Sequence, residues 1–305
     1  MRLFYEGTDI TGSVDIVKCE YRDAGGGRGD SMEIILENAG DWMRWGPQRG
    51  DRIRAELDGC GTGDMYLAAM LPDSGRYRIL ASALPHTARQ KKSQSYENMS
   101  LSGIMAACAA ECGMNYDLFG TDGAWKYPYT IRHDESAPAF LSRILLREGC
   151  VLKAYSGKLN AISISYAQDL APIDEIELNA DDEGVSHIVR EDIRLSSMIM
   201  MTPYAAGRAV DTAQDSGLYA QHASFPAADS VTAARWARGM LLMHNRTAET
   251  LSIASAFRPK WYALARMDIT GSSDANGEWM IDECIHDFTA GRSTAKLVRC
   301  IRTIR

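Results

Sequence analysis

Long apolar runs are missing from this sequence, and so is any excess of positive charge. The longest apolar stretches, such as Met198 to Met201, fall far short of the roughly 18–20 residues that a membrane span requires, so no membrane insertion is expected. Lys and Arg number 33 against 40 Asp and Glu, a net charge of -7. A chain this acidic is poorly suited to gripping phosphates, which argues against a sequence-specific nucleic-acid partner. The basic run Arg89-Gln90-Lys91-Lys92 is the local exception, and it reads as a solvated loop before a helix. No secretory segment is visible either, because the start Met1-Arg2-Leu3-Phe4-Tyr5-Glu6 meets an acid before an apolar core can form. The chain therefore reads as one made in the cytoplasm. Its seven cysteines are odd in number and widely scattered, which points to free thiols instead of a disulfide framework.

Recognisable catalytic patterns are lacking as well. There is no GxxxxGK[ST] phosphate loop and no GxSxG elbow. Gly59-Cys60-Gly61-Thr62-Gly63 joins two β-like runs with no helix behind it, so it lacks the geometry that cradles a phosphate. Cys108 and Cys112 fall on the apolar stripe of a helix, with no second ligand pair at zinc spacing. Cys284 and His286 share one face of a strand, a pattern of packing plus a hydrogen-bonded imidazole. Asp181-Asp182-Glu183 reads as linker. No catalytic, cofactor-binding or metal-binding residue is assigned.

What is present is enough apolar material for a packed core. The chain has 305 residues, 46% of them hydrophobic and 24% charged, a length that favours two or three domains. The first third reads as β: Val14 to Tyr21, Met32 to Leu36, then a meander of Arg52 to Leu57, Met65 to Leu71 and Tyr77 to Ala83. Between them DWMRWGPQRGD, residues 41–51, looks like a packed corner. Trp42 and Trp45 within it read either as partner-interface anchors or as core residues of the first β module. Character changes near Pro85. A helix is expected from Ser100, with Leu101, Ile104, Met105, Cys108 and Cys112 on one face. HDESAPAFLSRILLREGCVLKAYSGKLNAISI, from His133, then reads as a Ser136 cap, a helix with Pro138 in its first turn, a Gly149 stop and a hairpin turning at Ser156-Gly157-Lys158. The last third begins as strand, passes through a loop at about 207–227, and enters a helix capped by Asp229 (about 228–245) with Val231, Trp236, Met240 and Met243 as its stripe. Leu264 to Ile269, Trp279 to Ile285 and Thr294 to Ile301 close the chain as a second meander.

The two meanders echo one another. Gly63-Asp64-Met65 matches Gly277-Glu278-Trp279, and Gly75-Arg76 matches Gly291-Arg292. Hairpin turns reuse few residue types, so the echo is either chance likeness or duplication. Duplication would give three copies of the chain six similar units, suited to joining a sixfold partner to a threefold one.

Three segments carry a family resemblance: ENMSLSGIMAACAAECGM (97–114), the HDESAPAFLSRILLREGC segment with its hairpin, and GEWMIDECIHDFTAGRSTAKLVRCI near the C-terminus. With these the chain resembles the late control protein D family of contractile-tailed phages and prophages. These are baseplate hub proteins, similar in fold to the N-terminal part of type VI secretion spike proteins. The resemblance implies an α+β, mostly β fold. It comprises two similar antiparallel barrel-like tube domains at 1–85 and 171–305, and a smaller α/β middle domain at 86–170. The inserted loop and the additional helix belong to the second tube domain. It implies a non-enzymatic homotrimer that seats a trimeric spike protein on the tail tube protein among other baseplate proteins, assembled into a virion tail or an injection particle. In that assembly exposed β edges would be covered by the ring. The reading from another class is a tail-associated peptidoglycan hydrolase, against which the missing catalytic constellation stands.

Overall fold

The computed structural model describes residues 1–37, 40–73, 75–178, 184–214, 217–223, 227–271 and 274–305. The acidic stretch Asp181 to Glu183 lies outside them. In chain order the first module holds β1 (Arg2–Tyr5), β2 (Thr8–Asp9), β3 (Ile16–Ala24), β4 (Ser31–Leu36), α1 (Gly40–Arg44), β5 (Arg52–Leu57), β6 (Cys60–Gly61), β7 (Met65–Asp73) and β8 (Arg76–Ser82). Alternation writes these strands. On β4, Met32, Ile34 and Leu36 are buried while their neighbours reach the surface.

The middle of the chain builds β9 (Lys91–Ser100), α2 (Leu101–Glu111), β10 (Asn115–Phe119), β11 (Lys126–Ser136), α3 (Ala137–Arg147), β12 (Cys150–Tyr155), β13 (Lys158–Ser163) and α4 (Ile164–Asp169). Both longer helices start at the expected serines. Ser100 Oγ accepts from Gly103 N at 3.1 Å and Ser136 Oγ from Ala139 N at 3.4 Å. Lys91 and Lys92 do not lie in a loop before a helix. They open a long ribbon in which β9 pairs antiparallel with β11. Arg132 of β11 is wholly buried and donates to both carboxylate oxygens of Glu111 on α2, at 2.8 and 3.0 Å, which binds ribbon to helix. The expected hairpin is β12 and β13, with β10 added parallel to β13.

The last part holds β14 (Glu175–Glu177), β15 (Ser186–Val189), β16 (Ser197–Met201), β17 (Ala206–Val210), β18 (Tyr219–Ala223), α5 (Ser230–Asn245), β19 (Glu249–Ala256), β20 (Arg266–Thr270), β21 (Gly277–Asp287) and β22 (Arg292–Arg299). The segment read as a loop at 207–227 contains two strands, β17 and β18, which flank β16 in a small three-stranded sheet. Asp229 caps α5 as expected, accepting from Thr232 N at 2.7 Å. The expected stripe of α5 needs correction: Trp236 is buried but Val231 is 76% exposed. Where the helix crosses the α3 terminus it needs a glycine, because Gly239 lies so close to Arg147 O and Gly149 N that no Cβ fits. Glu148 completes the contact, accepting from Tyr127 Oη, Arg235 Nε and Trp236 Nε1, each at 2.7 Å.

A single 14-stranded sheet links the two β modules in the order β15-β19-β22-β21-β3-β4-β8-β7-β5-β1-β2, with β14, β20 and β6 off that path. The fold is mostly β, but neither barrel-like module closes among the described residues. The cause lies in the long central strands. β21 pairs with β20 through its first half and with β3 through its second, so the seam that would close a barrel is spent on joining the modules. One apolar core runs from the first module through the middle helices and α5, and a second fills the C-terminal module around Trp261 and Trp279.

Candidate functional site

The junction between the modules begins at a bulge. β21 shifts register against β22 between Ile281 and Glu283, and from there Glu283 to Asp287 lie antiparallel to Ala24 to Glu20 of β3. Charges are packed under this seam. Glu283 is nearly buried and is met by Lys296 at 2.9 Å, Arg22 at 3.4 Å and Arg28 at 2.6 Å. Burial opposes its ionisation, yet Lys296 and the two arginines hold its carboxyl below the usual range. Lys153 reaches in from β12, pairs with Asp23, and lies 3.1 Å from both Asp30 Oδ2 and Ala24 O. Burial pulls this lysine down, but Asp23 and Asp30 outweigh it and the net shift is upward. Asp30 is pushed up to about 6 by burial and by the charge of Asp23, against the pull of Lys153. Asp23 also accepts from Ala263 N at 2.9 Å, so one cluster pins β3, the middle hairpin and the approach to β20 together.

Little here is arranged for reaction chemistry. Cys284 Sγ and His286 Nε2 are 3.3 Å apart, but both are buried. Burial drives the thiol up and the imidazole down, which favours the neutral pair over a thiolate and imidazolium. His286 also meets Ser293 Oγ at 2.9 Å and Trp261 O at 3.0 Å, as a packed and satisfied ring does. All seven cysteines are free, Cys108 and Cys112 lie in the core, and no metal-holding group occurs among the described residues. The cleft beside Tyr155 and Tyr262 is lined by one acid, Asp23, and one base, Lys153, already paired with each other. No helix of the described residues is long and apolar enough to cross a membrane.

The two tryptophans of the corner separate. Trp42 is 0% exposed and meets the Tyr5 ring edge-on at 5.1 Å, so it has no surface to offer a partner. Trp45 stacks on Tyr5 at 6.2 Å, meets Trp42 edge-on at 6.1 Å, and keeps 38% of its surface exposed.

The meanders match in backbone detail. Leu67 N donates to Asp51 O at 2.8 Å, and Leu67 O accepts from Gly50 N at 2.9 Å. In the second meander Ile281 N donates to Ala265 O at 2.9 Å and Ile281 O accepts from Leu264 N at 2.7 Å. Arg52 lies opposite Tyr66 as Arg266 lies opposite Met280, and the bulge between Leu67 and Ala69 matches that between Ile281 and Glu283. Even the left-handed residue is repeated, Gly50 at φ 99 and Leu264 at φ 71. Leucine rarely adopts that conformation, so its recurrence here marks a shared path and not generic turn chemistry. The modules differ at their free edges. The second half of β7, which matches the part of β21 held by β3, has no partner on that side among the described residues, and neither has β15 on its outer side. Leu71 is 45% exposed, Ile188 52% and Val189 53%.

No family model and no curated protein matches this sequence. Solved structures do match. A 43 kDa tail protein of prophage MuSo2 from Shewanella oneidensis superposes with a TM-score of 0.74 at 12% identity, over 98% of this chain and 97% of its own. The chain has the fold of phage tail proteins. A tail protein from Neisseria meningitidis MC58 gives 0.73 at 11% identity, over 98% and 95%. An E. coli component of the type VI secretion system, described as structurally similar to the bacteriophage T4 tail proteins gp27 and gp5, gives 0.61 at 12% identity, over 99% and 78%. Within this tail fold, the sequence reading points neither to the buried seam of Lys153, Asp23, Asp30 and Glu283 nor to the two open edges, β7 at Leu71 and β15 at Ile188 and Val189. The seam gives no local signal, since its members are far apart in the chain. The β7 edge does give one: Pro72 inside that strand marks it as unpaired on one side.

Proposed function

We propose that this chain is a structural hub of a contractile tail or a related injection system, a homotrimeric adaptor between a sixfold tail tube and a threefold spike. The observation that carries this reading is the repeated module: two meanders with the same bulge, register and left-handed residue, so that three copies offer six near-equivalent units. Residues 1–85 and 171–305 act as the two tube units, and residues 86–170 act as the brace between them, tied in by Lys153. The fold neighbours, two tail proteins and a type VI secretion component, support a non-enzymatic role assembled in a virion or injection particle. Of the two corner tryptophans, Trp45 is the one that meets a partner. The test is light scattering on the purified chain, alone and with tail tube and spike proteins. A mass of three copies that binds both supports the reading, and a monomer that ignores both overturns it. Trp45→Ala should weaken one of these associations by about tenfold or more, while the melting temperature falls only by what the lost ring contacts with Tyr5 and Trp42 contribute.

A further inference from the structure

The seam inside the chain is a template for a seam between chains. Each strand on one side of it has a counterpart. Tyr66 lies opposite Ser82 as Met280 lies opposite Val298, which matches β8 to β22. Ser82 then lies opposite Ser31, and Val298 opposite Thr250, which matches β4 to β19. Ser31 lies opposite Arg22, and Thr250 opposite Ile188, which matches β3 to β15. Across the seam Arg22 lies opposite Ile285, whose counterpart in β7 is Leu71.

From this correspondence we propose that β15 of one copy adds antiparallel to the second half of β7 in a second copy, in the register that β3 makes with β21. Ile188 then faces Leu71, Val189 faces Met70 and His187 faces Pro72. This rests on the hub reading above and specifies how its ring closes.

Backbone polarity agrees on both strands. Arg190 N donates to Ala248 O at 2.7 Å, so strand alternation turns the N–H and C=O of Val189 and His187 away from β19 and toward the open edge. On β21, Phe288 N donates to Cys19 O at 2.8 Å, so His286 and Cys284 face β3, and their counterparts Pro72 and Met70 face the open edge. Val189 and Met70 can exchange two hydrogen bonds. Pro72 offers only its carbonyl, which leaves one bond with His187 and also discourages stray strands from adding there. Leu71 and Ile188 form the close, non-hydrogen-bonded pair, where two exposed apolar side chains become buried against each other. A free edge carrying exposed aliphatic groups is otherwise an aggregation hazard, and one matched to a complementary edge on the same chain is covered by a second copy.

The test is a paired cysteine variant, Leu71→Cys with Ile188→Cys, oxidised and run without reductant. The native cysteines are buried or half-buried, so background linkage should be low. The expected result is covalent dimers and trimers with nothing larger, absent from either single variant. Alongside it, Ile188→Lys should raise the concentration at which the trimer dissociates by about tenfold, and adding Leu71→Glu should restore it. Circular dichroism checks that each variant folds. A native trimer that links only through the shifted pair Leu71→Cys with Arg190→Cys, or through neither pair, overturns this register and leaves the hub reading standing. A chain that stays monomeric at all concentrations and never links overturns both.

Discussion

The second halves of β7 and β21 are the same piece of structure in two different surroundings. Each follows the same bulge, and each is flanked on one side by the next strand of its meander. On its other side β21 meets β3, and its residues Cys284 and His286 are buried. The matching side of β7 is open: Pro72, the counterpart of His286, is exposed, and Met70, the counterpart of Cys284, is half-buried. Local backbone is therefore set within the meander, while burial is set by whatever lies beside it. The same contrast holds for β3 and β15. Asp23 in β3 can be a buried acid because Lys153 reaches it, whereas its counterpart Val189 is uncharged and sits at the surface.

The largest effect should come from breaking the held side. Lys153→Met strands Asp23 and Asp30 without their cation and should cost about 3–5 kcal/mol near neutral pH by denaturant unfolding. The cost should depend on pH in a defined sense. Asp30 already titrates at about 6 in the fold against 3.8 when exposed. A carboxyl raised in this way favours the folded state below its unfolded value and loses that advantage as pH rises through its folded value. Removing the cation raises it further, so the destabilisation should be greatest above about pH 6 and shrink toward about pH 4. A cost that is flat across this range would remove Asp30 from the account. Next come the twin bulge residues. Leu67→Ala and Ile281→Ala each empty a fully packed site and should each cost about 2–5 kcal/mol. Similar values would sharpen the correspondence between modules, and a large disparity would show that the matched registers hide unequal packing. Gly50→Ala tests the shared left-handed position. It has room for a methyl group, so its cost should be about 1 kcal/mol and come from φ alone. The smallest effect belongs to the open edge: Val189→Ser should change the stability of the dissociated chain by less than about 0.5 kcal/mol. A larger loss there would mean that the edge is already covered within one copy.

Acid should destabilise the brace as well. Glu111 is held below its ordinary 4.5 by its hydrogen bonds with Arg132, against the opposing effect of burial. Its contribution is present above that value and is lost as pH falls through the depressed one, so Glu111→Gln should flatten the acid limb of a pH–stability curve.

Helix starts, the middle hairpin and both meanders are legible in the residue order. Ser100, Ser136 and Asp229 announce helices through short-range hydrogen bonds, and Ser156-Gly157 turns a hairpin whatever surrounds it. The strands β17 and β18 are not legible there, because their pairing partner β16 supplies the order that their own residues do not signal. The β9 and β11 ribbon escapes for a similar reason: its pairing spans an intervening helix, and Lys91-Lys92, solvated as expected, open a strand whose partner lies some forty residues away. The stripe expected on α5 fails at Val231 because the buried face of the helix runs instead through Ala233, Trp236, Ala237, Gly239, Leu241 and Leu242.

Residue order alone settles the alternation of the strands, the caps and turns, the absence of a membrane-spanning run and the likeness between the two meanders, since each depends on neighbours a few positions away. Which edge of each meander is covered, why a lysine and two aspartates can share one buried seam, and why neither module closes into a barrel among the described residues were decided only when distant strands met. Those outcomes depend on burial and on hydrogen-bond partners brought from far along the chain, and apart from Pro72 on the open edge of β7 no local pattern encodes them.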